Sequence, residues 1–504
     1  MSYLRIELLT PVHIGTGRKL EPGLDFVSFG APEHVVAVLD ERKVFDIVGA
    51  DNLSTWLSII NQNGNLLTYL RQRQPKLAAA TIATRQLDTP EATPTAGQTV
   101  REQMHTGGGE ALLPGSSLKG ALRTAWLAEK ILAKPRESSY ALPNGEAALK
   151  RNFSDQQLTQ SHLVPADTKR GQEPNHDLLR LLQVGDAHFT RTSCLLTETL
   201  NETGGGPQMK QSVQQFAECL SAKQSALVRV QVPEVLKREL LEKNQLRRAD
   251  AQALTLPALL QTVQTQTARL LARELARYEP KDFSRAEDGA GLFVEQLQQL
   301  QRQNAACESG RAAVLRLGFG SGHAFITGGW YEEVLRDQFQ VRRDIENAAR
   351  KNNRYEGTPL SKTRKMTLGG VPLGFIRLTL LSEEELAAEV ARTQGEAQSQ
   401  AAAKAQAATE AEAIRKATEQ AAAEALKPQY YGGNLRQGTE LDAVVEKFTS
   451  PTLTLRLYVG AVGQEQLVPL RYPGGLPVGT VVVVKVQSEQ KGKVQNVAFV
   501  RVKK

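Results

Sequence analysis

The sequence predicts an α+β protein in which an alanine-rich helical spacer separates a mixed core from a small β-barrel. The core opens on an alternating strand, Tyr3 to Leu9, and residues 116–133 have the periodicity of an amphipathic helix. Residues 381–427 are rich in Ala, Glu and Gln, which favour helix. Residues 428–504 contain strand-like runs divided by Gly and Pro turns. We therefore expect a core over residues 1–380, a spacer and a barrel.

Local patterns predict further elements of the core. The first strand ends at Thr10-Pro11, because proline fixes φ and lacks a backbone N–H group. Residues 25–39 predict a hairpin that turns at Gly30-Ala31-Pro32, and helical spacing follows as far as Ile60. Residues 233–278, rich in Leu, Arg, Glu and Gln, predict a helical insertion.

The clearest helix is expected to begin at Ser116 or Ser117, either of which can cap it. Its apolar stripe contains Leu118, Leu122 and Trp126. The first N–H groups of a helix have no intrahelical partners, and the helix dipole favours an anion there. This helix start is therefore a natural phosphate site.

Three stretches combine glycines with hydroxyl or cationic side chains. They are the first glycine loop, TPVHIGTGRK (Thr10 to Lys19), the second, LPGSSLKGALR (Leu113 to Arg123), and the third, LRLGFGSGH (Leu315 to His323). Because glycine lacks Cβ, it lets backbone approach an anion closely, and its neighbours' N–H groups can face phosphate oxygens. Together the loops suggest a surface for a phosphodiester chain.

Nucleotide-binding signatures are incomplete in these loops. Gly115 and Gly120 have the spacing of a P-loop, but Ala121 and Leu122 follow where Lys and Ser or Thr are required, which disfavours ATP hydrolysis. The third loop has His323 where a dinucleotide fingerprint needs its last glycine. The remaining interpretation is phosphate contact without nucleotide chemistry.

Taken in order, the three loops resemble those of the RAMP superfamily of CRISPR effector subunits. HDLLRLLQVGDA (His176 to Ala187) is similar to the family's D-x-x-R-x-L-x-V-x-D-S stretch, with Ala187 where serine is usual. PLSKTRKMTLGGVPLGFIRL (Pro359 to Leu378) is similar to its closing element. The resemblance covers about residues 1–380 and is strongest to the fifth subunit of the type III-A (Csm) complex, which caps the 3′ side of the crRNA filament.

This resemblance implies a core of two ferredoxin-like (RRM-type) halves with helical insertions. It also implies a non-catalytic subunit that binds the 3′ portion of a single-stranded crRNA, supporting crRNA maturation and antiviral RNA-guided interference. The implied partners are crRNA, target RNA indirectly, other RAMP and effector subunits and a maturation nuclease. No cofactor, metal or membrane is implied.

The predicted RNA-binding residues come from the three loops and the closing element. They are His13, Gly15, Thr16, Gly17, Arg18, Lys19, Ser116, Ser117, Lys119, Arg123, Gly318, Gly320, Ser321, Gly322, Lys362, Arg364 and Lys365.

Composition is compatible with an RNA-binding protein of the cytoplasm. The 504 residues carry a formal net charge of +8, and this mild basic bias helps approach to nucleic acid without establishing it. Cys194, Cys219 and Cys307 lack the spacing of a zinc site or disulfide framework and are expected to be reduced thiols. A secretory signal pattern and a membrane-spanning apolar run are absent from the sequence.

Catalysis remains an alternative. His13, Asp25, His105, Asp186 and His323 could serve as bases or metal ligands, but no pair has diagnostic spacing. Related backbone subunits cleave target RNA with an aspartate after the first strand, where Asp25 lies here. A RAMP-family endoribonuclease is therefore the first alternative, although the GLDF context of Asp25 favours a structural role.

The last part of the chain supports a second alternative, an adaptor whose barrel recruits a nuclease or another protein. Residues 428–504 hold six aromatic residues and ten Lys or Arg against five acids. An OB-fold or cold-shock-like barrel of this composition can stack bases, but its aromatics can equally fill the core. Residues 341–365, with eight Lys or Arg against three acids, are expected to form a mobile basic segment.

Overall fold

The computed structural model describes most of the chain. The described residues are 2–133 except 63, 163–164, 176–281 except 204–205, 291–330, 363–395, scattered positions between 402 and 424, and 427–503 except 461–464 and 473. Internal contacts divide the chain into two compact units, Met1–Leu386 and Ala387–Lys504.

The first unit mixes strands and helices. Its described strands are β1 Ser2–Leu8, β2 Gly15–Leu20, β3 Phe26–Phe29, β4 Val35–Leu39, β5 Ala83–Asp88, β6 Val100–Gln103, β7 Ala111–Leu113, β8 Gln183–Val184, β9 Ala187–Phe189, β10 Thr192–Thr203, β11 Gly206–Met209, β12 Gln215–Leu220, β13 Ser225–Gln231, β14 Ala312–Arg316, β15 Thr363–Thr367 and β16 Phe375–Leu380. Its described α-helices are α1 Glu41–Val48, α2 Leu53–Asn61, α3 Leu66–Arg73, α4 Ala79–Ile82, α5 Gly115–Ala133, α6 Glu234–Glu242, α7 Arg248–Ala253, α8 Leu256–Tyr278, α9 Leu292–Ala305 and α10 Gly322–Thr327.

One sheet has the strand order β14-β16-β1-β13-β8, with antiparallel neighbours throughout. On β1, Leu4, Ile6 and Leu8 are buried, so the alternation in the sequence does mark a strand with one face in the core. The largest buried apolar cluster joins this sheet to α5 and to the first half of α8. Val12 of the first glycine loop and Leu315 and Leu317 of the third belong to this cluster, so both loops are attached to the same hydrophobic core.

A second sheet has the order β2-β6-β12-β10-β5-β4-β3, and the long strand β10 also pairs with β11 and β15. The expected hairpin is present as β3 and β4, which are joined through the turn at Gly30. β2 is an edge strand whose residues Gly15 to Lys19 are all exposed. Edge strands leave backbone groups available for partners.

The mixed α/β architecture that the sequence predicted is confirmed. The expected insertion after residue 233 contains α6, α7 and α8, and α8 begins where Thr255 caps it with Pro257 in its first turn. The division into two ferredoxin-like halves and the three-part domain boundaries remain predictions. Within the described residues, helices are either too short or too polar to cross a membrane.

The basic segment predicted at residues 341–365 lies outside the described residues as far as Lys362. Its last part was predicted incorrectly, because residues 363–365 belong to strand β15 and are not a free basic loop. β15 pairs with β10, and Arg364 is buried against Glu274 of α8. The positive charge of residues 363–365 suggested a mobile loop, but their pairing with β10 and the Arg364–Glu274 ion pair make them part of a strand.

The second unit contains strands β17 Glu440–Thr449, β18 Thr452–Leu457, β19 Gln466–Arg471, β20 Val481–Gln490 and β21 Lys493–Val502. They form one antiparallel sheet in the order β19-β18-β17-β20-β21. The edge strands approach each other, since Val494 N donates to Gln466 Oε1 at 3.0 Å. Tyr431, Tyr472 and Phe499 pack against the core of this unit, whereas Phe448 is exposed.

The predicted spacer is described in part. Residues 383–395 are helical, and so are the scattered described positions between 402 and 424. That this segment is a spacer between two folded units remains a prediction.

Candidate nucleic-acid interface

A buried carboxylate, Glu218 of β12, lies beneath the first glycine loop. Its side chain is 0% exposed and accepts hydrogen bonds from both Nε and Nη2 of Arg85 at 3.0 Å. His105 Nε2 lies 3.1 Å from the same carboxylate, and Gln103 N donates to it at 3.3 Å. Burial opposes ionisation, but the His105 and Arg85 hydrogen bonds outweigh it and hold the pKa of Glu218 below its usual value.

The first glycine loop is anchored on this network at two points. His13 Nδ1 donates to the backbone oxygen of Glu218 at 2.7 Å, and Thr16 Oγ1 donates to Glu102 at 3.2 Å. Glu102 also pairs with Arg85 at 3.2 Å. One buried contact, at His13, and one exposed contact, at Thr16, therefore position the loop between these anchors.

His13 is packed inside the protein. Its side chain is 2% exposed, and its ring meets Phe319 edge to face at 5.5 Å. A Cβ on Gly15 would lie 2.8 Å from His13 Nε2, so the glycine leaves room for the imidazole ring. His13 therefore supports the loop from below and does not face solvent as predicted for an RNA-contacting residue.

Beyond the anchors, the first loop presents an exposed cationic edge. Gly17 adopts φ +90° with open space around it, and the pairing of β2 with β6 is irregular between Gly15 and Lys19. Lys19 is exposed and lies opposite Arg101 of β6. Arg18 forms an ion pair with Asp25.

The structure joins the first and third glycine loops. Phe319 N donates to His13 O at 2.9 Å, and a Cβ on Gly318 would lie 2.6 Å from that oxygen. Gly318 also has φ +79°, which favours glycine. These two stretches, separated by about 300 residues in the chain, are therefore in direct contact.

A second buried network fixes the far side of the third loop. Arg316 is fully buried between Phe325 and Phe375 and donates to Leu373 O at 2.9 Å and Gly320 O at 3.1 Å. Burial lowers the pKa of Arg316 to about 9, so its guanidinium remains charged at neutral pH. It therefore holds the glycine loop as a permanent donor.

Two of the predicted RNA contacts belong to this buried layer. Arg364 makes a bidentate ion pair with Glu274, with N to O distances of 2.5 and 2.7 Å, and both side chains are 5% exposed. Ser321 is buried, and its hydroxyl donates to Gly318 O. Their side chains are engaged within the protein and are not placed to contact RNA.

The second glycine loop departs most from its predicted role. Gly115 N donates to Asp186 Oδ1 at 2.7 Å, so a protein carboxylate already occupies the start of α5. A Cβ on Gly115 would lie 2.4 Å from Val184 O, which shows that this glycine permits close helix-to-strand packing. The expected open phosphate site at this helix start was therefore wrong for its first N–H group.

Other side chains of the second loop are less buried. Ser116 is exposed, and Ser117, Lys119 and Arg123 are partly exposed. Arg123 pairs with Asp177 at 2.8 Å. Burial lowers the pKa of Lys119, with Asp177 opposing and Arg123 reinforcing the effect. Asp177, from a later part of the chain, therefore already balances part of the positive charge on this face of α5.

The predicted RNA-binding residues therefore fall into distinct groups. The exposed or partly exposed ones are Gly15, Thr16, Gly17, Arg18, Lys19, Ser116, Ser117, Lys119, Arg123, Gly318, Gly320, Gly322 and Lys365. The buried ones are His13, Ser321 and Arg364. Lys362 lies outside the described residues.

Sequence reasoning missed Phe319 and Arg101, which lie close to each other where the first and third glycine loops meet. Arg101 Cζ lies 4.9 Å and Lys365 Nζ 5.1 Å from the centroid of the Phe319 ring. The signal for Phe319 was an aromatic residue flanked by glycines in GFGSG. Arg101 gave no local signal, because it is one cation in a short strand and its neighbours come from distant parts of the chain.

The catalytic candidates have structural contacts of their own. Asp25 binds Arg18 and accepts from Glu21 N at 2.8 Å, while Asp186 caps α5 and His105 contacts Glu218. Among the described residues, no group of three or more His, Cys, Asp or Glu is arranged to hold a metal ion. Cys194 and Cys219 are buried free thiols, and burial raises the pKa of both.

Residues 5–251, just under half of the chain, match the RAMP superfamily model. A chain in the cryo-EM structure of a Csm-crRNA-target RNA ternary complex from a type III-A CRISPR-Cas system is similar in fold, with 21% identity and a TM-score of 0.55. The similarity covers 75% of this chain and 100% of that chain. The crystal structure of T.onnurineus Csm5 has 17% identity and a TM-score of 0.48, covering 74% and 99% respectively. No curated protein matches the sequence.

The second glycine loop allows a matched test of what its glycines do. Gly115→Ala should lower the free energy of unfolding by about 3 kcal/mol, since its Cβ would overlap backbone oxygens of β8 and the following turn. Gly120→Ala, with open space around its Cβ, should raise it by about 0.5–1 kcal/mol through helix propensity. Denaturant unfolding measures both. Equal effects of the two substitutions would contradict the packing role of Gly115.

Burial of His13 predicts an acid-sensitive fold. Burial is the largest cause of its lowered pKa, so the unfolded chain takes up this proton more readily than the folded one. Stability from neutral His13 should be complete above pH 6.5, the ordinary value, and decline as the pH falls below it. His13→Asn keeps an N–H donor but cannot titrate, so its melting temperature should depend less on pH between 7 and 5. The exposed His34→Asn is the control; equal pH slopes in wild type and His13→Asn would contradict the assignment.

Proposed function

The chain belongs to the RAMP superfamily, and we propose that it is a non-catalytic crRNA-binding subunit of a type III CRISPR ribonucleoprotein. In this role it binds the 3′ portion of the guide and caps the filament of related subunits. The observation that carries the proposal is the exposed Gly15 to Lys19 edge, which buried contacts hold beside the third glycine loop. The similarity in fold to a chain of a Csm-crRNA-target RNA complex supports it.

The loop geometry suits an RNA backbone. Glycines allow close approach, while exposed cations supply charge-assisted hydrogen bonds to phosphate oxygens. Contacts of this kind position a chain without reading its bases. A guide RNA, whose sequence changes from one spacer to the next, requires binding that is independent of sequence.

The finer architecture is also part of the proposal. The β14-β16-β1-β13-β8 sheet with α5 and α8 represents one ferredoxin-like half, and the sheet around β10 belongs to the other. The five strands of the second unit form an OB-like barrel, supported by the contact between its third and fifth strands.

RNA bound to the assembled complex tests the function directly. The protein should be co-expressed with the other effector subunits and a CRISPR array, purified through a tag on this chain, and its RNA sequenced from both ends. We expect a uniform repeat-derived 5′ tag and a variable 3′ end, because a capping subunit meets the trimmed end of the guide. Random cellular RNA would contradict the proposal.

A nuclease assay on the same preparations separates binding from catalysis. The purified chain with Mg²⁺ or Mn²⁺ should leave guide and complementary RNA intact, and the complex with Asp25→Ala should retain any target cleavage. Metal-dependent cutting by the isolated chain that Asp25→Ala abolishes would assign it to the endoribonucleases instead.

A further inference from the structure

Arg101, Phe319 and Lys365 come from three separate parts of the chain and form one group, here called the Phe319 cluster. The ring centroid lies 4.9 Å from Arg101 Cζ and 5.1 Å from Lys365 Nζ, both within the range of a cation–π contact. Phe319 itself is held by its backbone hydrogen bond to His13 O. The fold therefore brings two cations to one fixed aromatic ring.

The hydrogen bonds that the structure shows for these cations go to neutral side chains. Arg101 Nε donates to Gln215 Oε1 at 2.5 Å, and Lys365 Nζ donates to Thr199 Oγ1 at 3.3 Å. Burial lowers the pKa of Lys365, and the charge of Arg101 lowers it further. Two partly desolvated like charges raise the free energy of this site, and a bound anion would offset that cost.

The cluster continues into the exposed edge of the first glycine loop. Lys19 is the register partner of Arg101 across β2 and β6, and directly opposed side chains share a face of the sheet. On the other side, a Cβ on Gly320 would lie 3.3 Å from Lys365 Cβ. The glycine thus lets the lysine stem pass close beneath the third loop.

We propose that the Phe319 cluster is a phosphate subsite for the backbone of single-stranded RNA. Arg101 and Lys365 donate to one phosphate group, and Phe319 is a positioning residue that holds both cations. Lys19 extends the same face toward the next phosphate along the strand. This assignment rests on the proposed function and locates its phosphate contacts at residues that share no sequence motif.

A salt titration of RNA affinity tests the assignment. Full-length protein is titrated into labelled oligouridine at several salt concentrations, for the wild type and Arg101→Gln/Lys365→Gln. Losing the one phosphate that both cations contact should flatten the slope of log affinity against log salt by about 0.7, the contribution of one single-strand phosphate. Arg101→Lys/Lys365→Arg keeps both charges and should restore most of the slope.

The matched control is Lys76→Gln/Arg238→Gln, which removes the same formal charge. Both residues are exposed: Lys76 follows α3, and Arg238 lies on α6. It should leave the slope near that of the wild type. An equal loss in both double variants would mean that net charge alone matters and would overturn the subsite. An unchanged slope in Arg101→Gln/Lys365→Gln would do the same.

Phe319→Leu distinguishes positioning from base stacking. The substitution should weaken binding to oligouridine and to an abasic ribose-phosphate strand by similar factors, because the cations lose their support in both cases. Loss confined to the base-bearing strand would assign Phe319 to stacking and overturn the phosphate assignment. Thermal unfolding of each variant shows whether it is folded. If the wild type binds no RNA, the proposed function fails and this inference fails with it.

Discussion

The buried charge of Glu218 is the constraint on which the candidate surface depends. An isolated carboxylate in the interior is costly, and here Arg85, His105 and a backbone N–H group compensate for its burial. Because those partners come from β5, β6 and the chain just after β6, satisfying one carboxylate fixes the mutual register of several segments. His13 Nδ1 donates a hydrogen bond to the backbone oxygen of the same residue, so the position of Glu218 also fixes the position of the first glycine loop.

The third loop is fixed by an analogous arrangement on its other side. Arg316 donates to two backbone oxygens around the loop, and Glu274 lies among the charges that offset its burial. Glu274 also pairs with Arg364, which orders β15 and leaves the adjacent Lys365 facing Phe319. The buried Arg364 thus determines the position of the partly exposed Lys365. This explains why basic residues that are adjacent in sequence have different roles: alternation along a strand sends one inward and the next outward.

Local patterns in the sequence were sufficient for features that depend on neighbours in the chain. The alternation of β1, the apolar stripe of α5 and the hairpin at Gly30 are of this kind, and the order of the glycine loops indicated the family. The reasons for individual glycines could not be predicted in the same way. Gly115 and Gly318 make room for backbone oxygens from distant segments, a requirement that the sequence pattern does not distinguish from phosphate binding. Lys365 was predicted from its motif, but its partner Arg101 was not, because only the folded sheet brings the two cations to Phe319.

The central claim is that the joined first and third glycine loops form the RNA-binding surface of this chain. A cryo-EM structure of the protein with bound guide RNA tests it most directly. The account predicts RNA phosphates within hydrogen-bonding distance, about 3 Å, of the cationic groups of Lys19, Arg101 and Lys365, with His13 still bonded to Glu218 beneath them. A guide that binds elsewhere on the chain, with these three cations remote from every phosphate, would contradict it.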